Sequence, residues 1–309
     1  METILVTGGS GLVGHAIKQI SNNYNYKFVF LSRNDGDLKD YKNTYHIFKI
    51  FKPSYVIHLA ANVGGLYKNM KYKIDMLEDN LKINMNVLKC SHEFKVKKCI
   101  SILSTCIFPD DIEYPIDESK LHLGEPHSSN YPYAYAKRLL EIQSRIYREQ
   151  FNDNFICVIP TNIYGPNDNY NLEDSHVIPA LIHKSYLSKQ NKDDFVIRGT
   201  GKPLRQFLYS IDLAKILLKI IETDKQIQNL IVSPEQEFSI KYISQLIFKL
   251  SNNNNLIRFD ESYSDGQFKK TASNNKLKEL FPEFEFTPIL VGLKDSINWF
   301  NINFNKCRK

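Results

Sequence analysis

Ser104, Tyr133 and Lys137 are the residue types of a carbonyl-reduction apparatus, and Cys106, beside the serine, is a chemical group that plain reduction does not need. Tyr133 and Lys137 stand at i and i+4. A helix through Tyr133-Ala134-Tyr135-Ala136-Lys137 therefore puts both on one face, where the ammonium is expected to lower the phenol's pKa. A phenol placed in this way is a proton donor near neutral pH. Tyr135 is a rival, but it lacks the four-residue offset from Lys137.

The start of the chain indicates which cofactor would deliver a hydride. Thr3-Ile4-Leu5-Val6-Thr7 reads as a strand, and Gly8-Gly9-Ser10-Gly11-Leu12-Val13-Gly14 opens a helical pattern through Ala16, Ile17 and Ile20. A glycine-rich turn alone serves loops as often as sites; between strand and helix it lets backbone approach a pyrophosphate at a helix N-terminus. Gly8, Ser10, Gly11, Leu12, Val13 and Gly14 are thus the candidates for that contact. A second strand, Lys27 to Leu31, ends at Ser32-Arg33. An acidic residue there suits the ribose of NAD, whereas Arg33 suits the extra phosphate of NADP, so NADP(H) is the expected cofactor. Asp35, Asp37 and Asp40 follow closely and keep open a plain reading of Arg33 as a solvated loop residue.

Strands alternate with helices through the first half. Tyr55 to Leu59, Lys98 to Leu103 and Phe155 to Ile159 read as further strands, and helical stretches lie near residues 71–96 and 134–150. The expected fold is α/β, a Rossmann-type doubly wound parallel sheet, with its ligand at the carboxyl ends of the strands. His58-Leu59-Ala60-Ala61, Ser104-Thr105-Cys106 and Pro160-Thr161-Asn162 all fall at such ends, which adds Ala60, Ala61 and Pro160 to the cofactor candidates. Beyond about residue 165, Pro166, Pro179 and Pro203 interrupt the pattern. Residues 1–165 read as the dinucleotide-binding domain, with returning segments near 195–232; residues 166–309 read mainly as a smaller, discontinuous substrate-binding domain. Asn252 to Asn255 mark a loop between a helix ending near Leu250 and a strand at Leu256 to Phe259.

Composition narrows the class. With 309 residues and 42% hydrophobic content the chain can bury a substantial core. Its five cysteines are odd in number and show no paired metal spacing, so no metal site is expected. The first strand begins almost at Met1, and no apolar run approaches a membrane span, so a cytoplasmic protein with reduced thiols and no membrane partner is expected. The balance of 40 basic against 34 acidic residues is +6; the lysines are dispersed, which points to a solvated surface with a few phosphate contacts and away from nucleic acid.

Taken together, these residues resemble the extended short-chain dehydrogenase/reductase superfamily and, within it, the GDP-L-fucose synthase family. The resemblance spans nearly the whole chain and also rests on Pro160-Thr161-Asn162-Ile163-Tyr164-Gly165-Pro166, Ser175-His176-Val177-Ile178-Pro179-Ala180-Leu181 and Ser264-Asp265-Gly266-Gln267-Phe268-Lys269-Lys270. It implies 3,5-epimerisation and 4-keto reduction of GDP-4-keto-6-deoxy-D-mannose. Cys106 is then the epimerising base, His176 the acid and a cofactor neighbour, Ser104 and Tyr133 the groups on the ketone oxygen, and Lys137 a partner of both phenol and cofactor. The same resemblance puts Asn162, Lys184, Arg205 and Lys270 at the substrate and implies a homodimer through the two long helices. Many members carry tryptophan where this chain has Arg198, which must then enclose the substrate by stacking or by contacting phosphate.

Without the resemblance, His176 reads as a helix-start residue, His58 as a support for the cofactor turn, and Cys90, Cys99 and Cys157 as packing. A dehydratase is disfavoured because Thr105 and Cys106 stand where such enzymes place an Asp-Glu pair. A 4-epimerase needs no partner like Cys106 with His176, and a non-catalytic NADPH-sensing protein would commonly lack the Tyr-Lys pair. A keto-sugar on another nucleotide is the alternative substrate, since base recognition rests on loops that sequence does not place.

Overall fold

The early strands are apolar on both faces, the pattern of strands that helices cover from two sides. The computed structural model describes residues 1–309, apart from the side chains of Leu66 and Tyr67. Its first half runs β1 (Thr3–Thr7), α1 (Leu12–Ile20), β2 (Lys27–Phe30), α2 (Tyr41–Phe51), β3 (Tyr55–His58), α3 (Leu66–Lys71), α4 (Lys73–Glu93), β4 (Lys98–Ile102), α5 (Tyr131–Phe151) and β5 (Phe155–Pro160). There follow β6 (Asn162–Tyr164), α6 (Val177–Asn191), β7 (Phe195–Arg198), β8 (Leu204–Arg205), β9 (Phe207–Tyr209), α7 (Ser210–Glu222), β10 (Asn229–Val232), β11 (Phe238–Ser239), α8 (Ile240–Leu250), β12 (Ile257–Asp260), α9 (Asn275–Leu280) and α10 (Ile289–Asn303).

Six strands form one parallel sheet in the order β10-β5-β4-β3-β1-β2. The pleat sends alternate residues to opposite faces. Ile4, Val6, Ile57, Ile100, Val158 and Leu230 join Val13 and Ile17 of α1 and Leu213 and Leu217 of α7. Leu5, Val56, Phe155, Cys157 and Ile231 join Phe48 of α2, Leu88 of α4 and Leu140 of α5. Cys90 and Cys99 are fully buried in this second core, as packing residues. The sheet is doubly wound, as its sequence pattern requires.

After β5 the chain leaves the sheet and returns to it through α7 and β10. β7 does not return: it pairs in parallel with β12, Phe195 opposite Ile257. Two short pairs, β6 with β9 and β8 with β11, complete this second region, and the first core continues into it through Ile178, Leu181, Ile243 and Phe300. The asparagine run is not slack. Asn253 is buried and donates to the Ser185 carbonyl (3.0 Å) and Ser188 Oγ (3.1 Å), fixing the turn after α8 to α6. Among the described residues no helix is long and apolar enough to cross a membrane.

Candidate active site

The glycine turn is dictated by close approach. Gly8 takes φ +66°, and a Cβ on it would stand 2.9 Å from the Ala60 amide nitrogen; one on Gly14 would stand 2.4 Å from the Gly9 carbonyl oxygen. Neither position admits a side chain. α1 therefore starts hard against the carboxyl ends of β1 and β3, with Gly11 as N-cap and no side chain capping its first amides. Free amides at the positive end of a helix fit a pyrophosphate, so the residues present suit a dinucleotide.

Thr7 ties the two strand ends together. Its Oγ1 accepts the amides of Leu59 and Ala60, each at 3.1 Å, and lies 2.8 Å from His58 Nδ1. With two amides donating to it, the hydroxyl gives its own proton to Nδ1, which leaves the Nε2–H to donate to Asn84 Oδ1 at 3.0 Å. Burial, with Lys137 nearby, holds the His58 pKa down at about 3, so the ring is neutral. It supports the turn, as read from sequence. Asn80 does the same one helical turn away: its Oδ1 accepts the Asn62 amide (2.9 Å) and its Nδ2 donates to the Asn62 carbonyl (2.9 Å). Thr7, Asn80 and Asn84 escaped the sequence reading. The signal was two asparagines at i and i+4 within the mainly apolar buried stripe of α4.

Arg33 opens a short turn after β2 and is exposed. The Asp35 carboxylate accepts the Ser32 amide (2.7 Å) and hydroxyl (2.8 Å), so it is engaged by the turn itself.

β4 and α5 build the reducing group. Ser104 caps the single turn Thr105–Ile107, its Oγ accepting the Cys106 amide at 3.4 Å, and this turn packs on α5. Lys137 Nζ donates to the Ile102 carbonyl at 2.7 Å and lies 5.8 Å from the Tyr133 ring centroid. The expected lowering of the phenol is not found. Desolvation, followed by the nearby Cys106, pushes the Tyr133 pKa up, and desolvation brings Lys137 down to about 8. In this state the ammonium's hydrogen bond goes to the Ile102 carbonyl, and burial sets the direction of the phenol's shift. Burial also raises the Cys106 thiol, opposed first by Lys270, then by the Ser104 hydrogen bond and Lys137.

The opposite wall comes from the second region. Arg205 does not stand free: Nη2 donates to the Gln267 carbonyl (2.6 Å) and Nη1 to those of Leu204 (2.7 Å) and Phe268 (3.2 Å). Buried Gln206 exchanges bonds with Ala272, donating to its carbonyl (3.1 Å) and accepting its amide (2.8 Å). Tyr114 donates to the Lys269 carbonyl at 2.6 Å. Lys270 lies between these pinned neighbours, within electrostatic reach of Cys106 and Arg205. Asn162 donates through Nδ2 to the Gln206 carbonyl at 3.0 Å, which ties β6 to β9.

Lys184 and Arg198 form a second cationic group. Arg198 pairs with Glu173 at 3.0 Å and lies over the Tyr263 ring, 4.7 Å from its centroid. Lys184 is held below its ordinary pKa by burial and then by Arg198. The next strand turn is locked: Asp265 accepts the Thr200 amide (2.8 Å) and hydroxyl (2.6 Å), leaving no room for a side chain on Gly199. His176 is the N-cap residue of α6, three residues after Glu173, and its side chain makes no capping bond. Crowding lowers the imidazole pKa, an effect that water at its exposed side weakens. The structure thus brings Ser104, Cys106, Tyr133, Lys137, Arg205 and Lys270 into one electrostatic neighbourhood, while Lys184 and Arg198 gather at the loop leading to His176.

A family model described as the NAD dependent epimerase/dehydratase family matches residues 4–232. Over its full length the chain is 51% identical to a GDP-L-fucose synthase of Dictyostelium discoideum, of which it covers 98%, and 42% identical to a probable GDP-L-fucose synthase of Drosophila melanogaster, of which it covers 100%. A crystal structure of a GDP-L-fucose synthetase from Naegleria fowleri bound to NADP matches with a TM-score of 0.95 at 46% identity, covering 100% of this chain and 95% of that one.

Proposed function

We infer that this chain, which belongs to the NAD dependent epimerase/dehydratase family and within it to the GDP-L-fucose synthases, converts GDP-4-keto-6-deoxy-D-mannose to GDP-L-fucose with NADPH. The observation that carries the reading is a thiol, Cys106, set one turn from a Ser104, Tyr133 and Lys137 apparatus and opposed by the Lys270 ammonium.

A ketone at the sugar's fourth carbon acidifies the protons on carbons three and five. Cys106 removes such a proton as thiolate, and the protonated His176 ring returns one to the opposite face. Ser104 and Tyr133 hydrogen-bond the oxygen on which enolate charge develops. When bound, NADPH supplies the hydride for the fourth carbon. Tyr133 protonates the resulting oxygen, and the Lys137 ammonium favours the phenolate left behind. Lys270 and Arg205, with Lys184 and Arg198, carry the charge that suits the substrate diphosphate, and Asn162 lies on the same wall.

On the cofactor side, Gly8, Ser10, Gly11, Leu12, Val13 and Gly14 hold the pyrophosphate, Ala60, Ala61, Pro160 and His176 also contact the cofactor, and Arg33 stands at the 2′-phosphate. Arg33→Ala is expected to weaken NADPH binding about 10- to 100-fold, the worth of one or two charge-assisted hydrogen bonds, and to leave NADH nearly unchanged. Titration with both cofactors checks it; an equal loss for both removes the 2′-phosphate role. Residues 1–165 with α7 and β10 serve the dinucleotide, and the rest of 166–309 mainly the sugar nucleotide. Five free thiols fit a cytoplasmic setting.

The reading includes a homodimer. Ile74 and Met85 on α4, and Tyr131, Tyr135, Leu139 and Ile146 on α5, are exposed apolar residues at helical spacing on two helices packed side by side. Leu139→Lys with Ile146→Lys is expected to convert a dimer to a monomer in light scattering; an unchanged mass removes this interface.

The reaction itself is tested by mixing protein, NADPH and GDP-4-keto-6-deoxy-D-mannose and following cofactor oxidation and product stereochemistry by NMR. GDP-L-fucose is expected. Oxidation with an uninverted product would leave a reductase alone, and no oxidation would remove the substrate assignment.

A further inference from the structure

Arg138, the residue after Lys137 on α5, is 7% exposed. Its Nε donates to the Ile107 carbonyl at 2.6 Å and its Nη1 to the Gly124 carbonyl at 2.7 Å; its Nη2 is buried and has no hydrogen-bond partner among the described residues. Ile107 closes the turn that carries Cys106. Gly124 belongs to the limb that pairs with it, Pro109 bridging Pro126 and the Asp110 amide donating to the Glu125 carbonyl at 3.0 Å. One guanidinium thus rivets α5 to both limbs of the cysteine loop.

Carbonyls meet two of its three nitrogens but not its charge. Arginine stays protonated in a protein interior, and a buried cation without an anion is unfavourable. No carboxylate forms an ion pair with Arg138 among the described residues. The groups beside it that can become negative are Cys106 and Tyr135, the latter exposed, with the guanidinium 5.7 Å from its ring centroid. A glutamine, whose amide nitrogen stands where the arginine Nε does, would meet the Ile107 carbonyl without a buried charge. The charge has a use if an anion forms at Cys106.

We propose that Arg138 is a positioning residue for Cys106: it fixes the turn that aims the thiol and supplies the standing positive charge that favours its thiolate. This rests on the base role given to Cys106 above. The other groups facing the thiol are Lys137 and Tyr133 from α5, Ser104 from its own turn, and Lys270, itself faced by Asp110 and Arg205.

The test is the pH dependence of Cys106 alkylation by iodoacetamide in the full chain, read on the Cys106 peptide by mass spectrometry. No sugar nucleotide is present, so the result is independent of the substrate assignment. Arg138→Gln is expected to raise the midpoint by about one pH unit and slow alkylation at neutral pH about tenfold, whereas Arg138→Lys, which keeps the charge, holds the wild-type midpoint. A wild-type profile in a folded Gln variant overturns the proposal, as does an upward shift in the Lys variant. If the Gln variant does not fold, Arg138→Met, which also removes the charge, takes its place: a raised midpoint supports the charge and a wild-type one overturns it.

Discussion

Tyr133→Phe should lose about 10²- to 10⁴-fold of the keto-reduction rate, the span that a positioned proton donor contributes. The change deletes one oxygen and keeps the ring, which is half-buried on α5 with the Lys137 ammonium 5.8 Å from its centroid. Packing is therefore preserved while the donor is lost. Ser104 still reaches the ketone oxygen, so exchange of the sugar's C3 and C5 hydrogens with deuterated solvent should continue, more slowly. Single-turnover NADPH oxidation beside NMR of deuterium incorporation separates the two, and retained oxidation at the wild-type rate would falsify the assignment. The wild type also carries a pH signature. Lys137 titrates at about 8, lowered by burial, so its charge is present below that value and lost above it. Reduction should accordingly fall as pH rises through about 8.

The sheet and the site's skeleton were readable because both depend on local patterns. β1, the glycine turn and α1 are contiguous in sequence, and the helix that sets Tyr133 against Lys137 is fixed by a four-residue spacing. The pairing of β7 with β12 was not readable: the partners are far apart along the chain, and short apolar runs carry no label for their mate. Contacts whose donors are common residue types were equally hidden. Nothing local marks Arg205 as the holder of the Gln267 and Phe268 carbonyls, or Arg138 as the rivet of the cysteine turn; each has a partner set by tertiary packing. The phenol pKa was misjudged for a related reason. Spacing tells which charges are neighbours but not how much water is excluded from between them, and here desolvation wins.

These pinned loops also bear on how one pocket performs two reactions. Arg205, Gln206 and Tyr114 hold the segment on either side of Lys270, which lies within electrostatic reach of Cys106. Lys270 is the charge that most opposes the upward pull of burial on the Cys106 thiol. On the roles proposed above, reduction rests on the phenol and its lysine and asks nothing of the thiol.

Cys106→Ser should therefore divide the two half-reactions. A serine hydroxyl in the same place keeps the size and hydrogen bonding of the turn but is a far weaker acid than a thiol, so its alkoxide is scarce even beside Lys270 and Lys137. Epimerisation is expected to fall about 10²- to 10⁴-fold, whereas Ser104, Tyr133 and Lys137 remain to reduce the unepimerised ketone. NADPH oxidation should persist and a 4-reduced sugar lacking the C3 and C5 inversions should accumulate. Unchanged stereochemistry at an unchanged rate would refute the base role. The pH profile sharpens the outcome. The Cys106 pKa is raised by burial, so thiolate grows as pH rises, and wild-type epimerisation should climb on the alkaline side while reduction declines with the Lys137 charge. Cys106→Ser removes the climbing limb and leaves the declining one, a separation that general destabilisation of the fold would not produce.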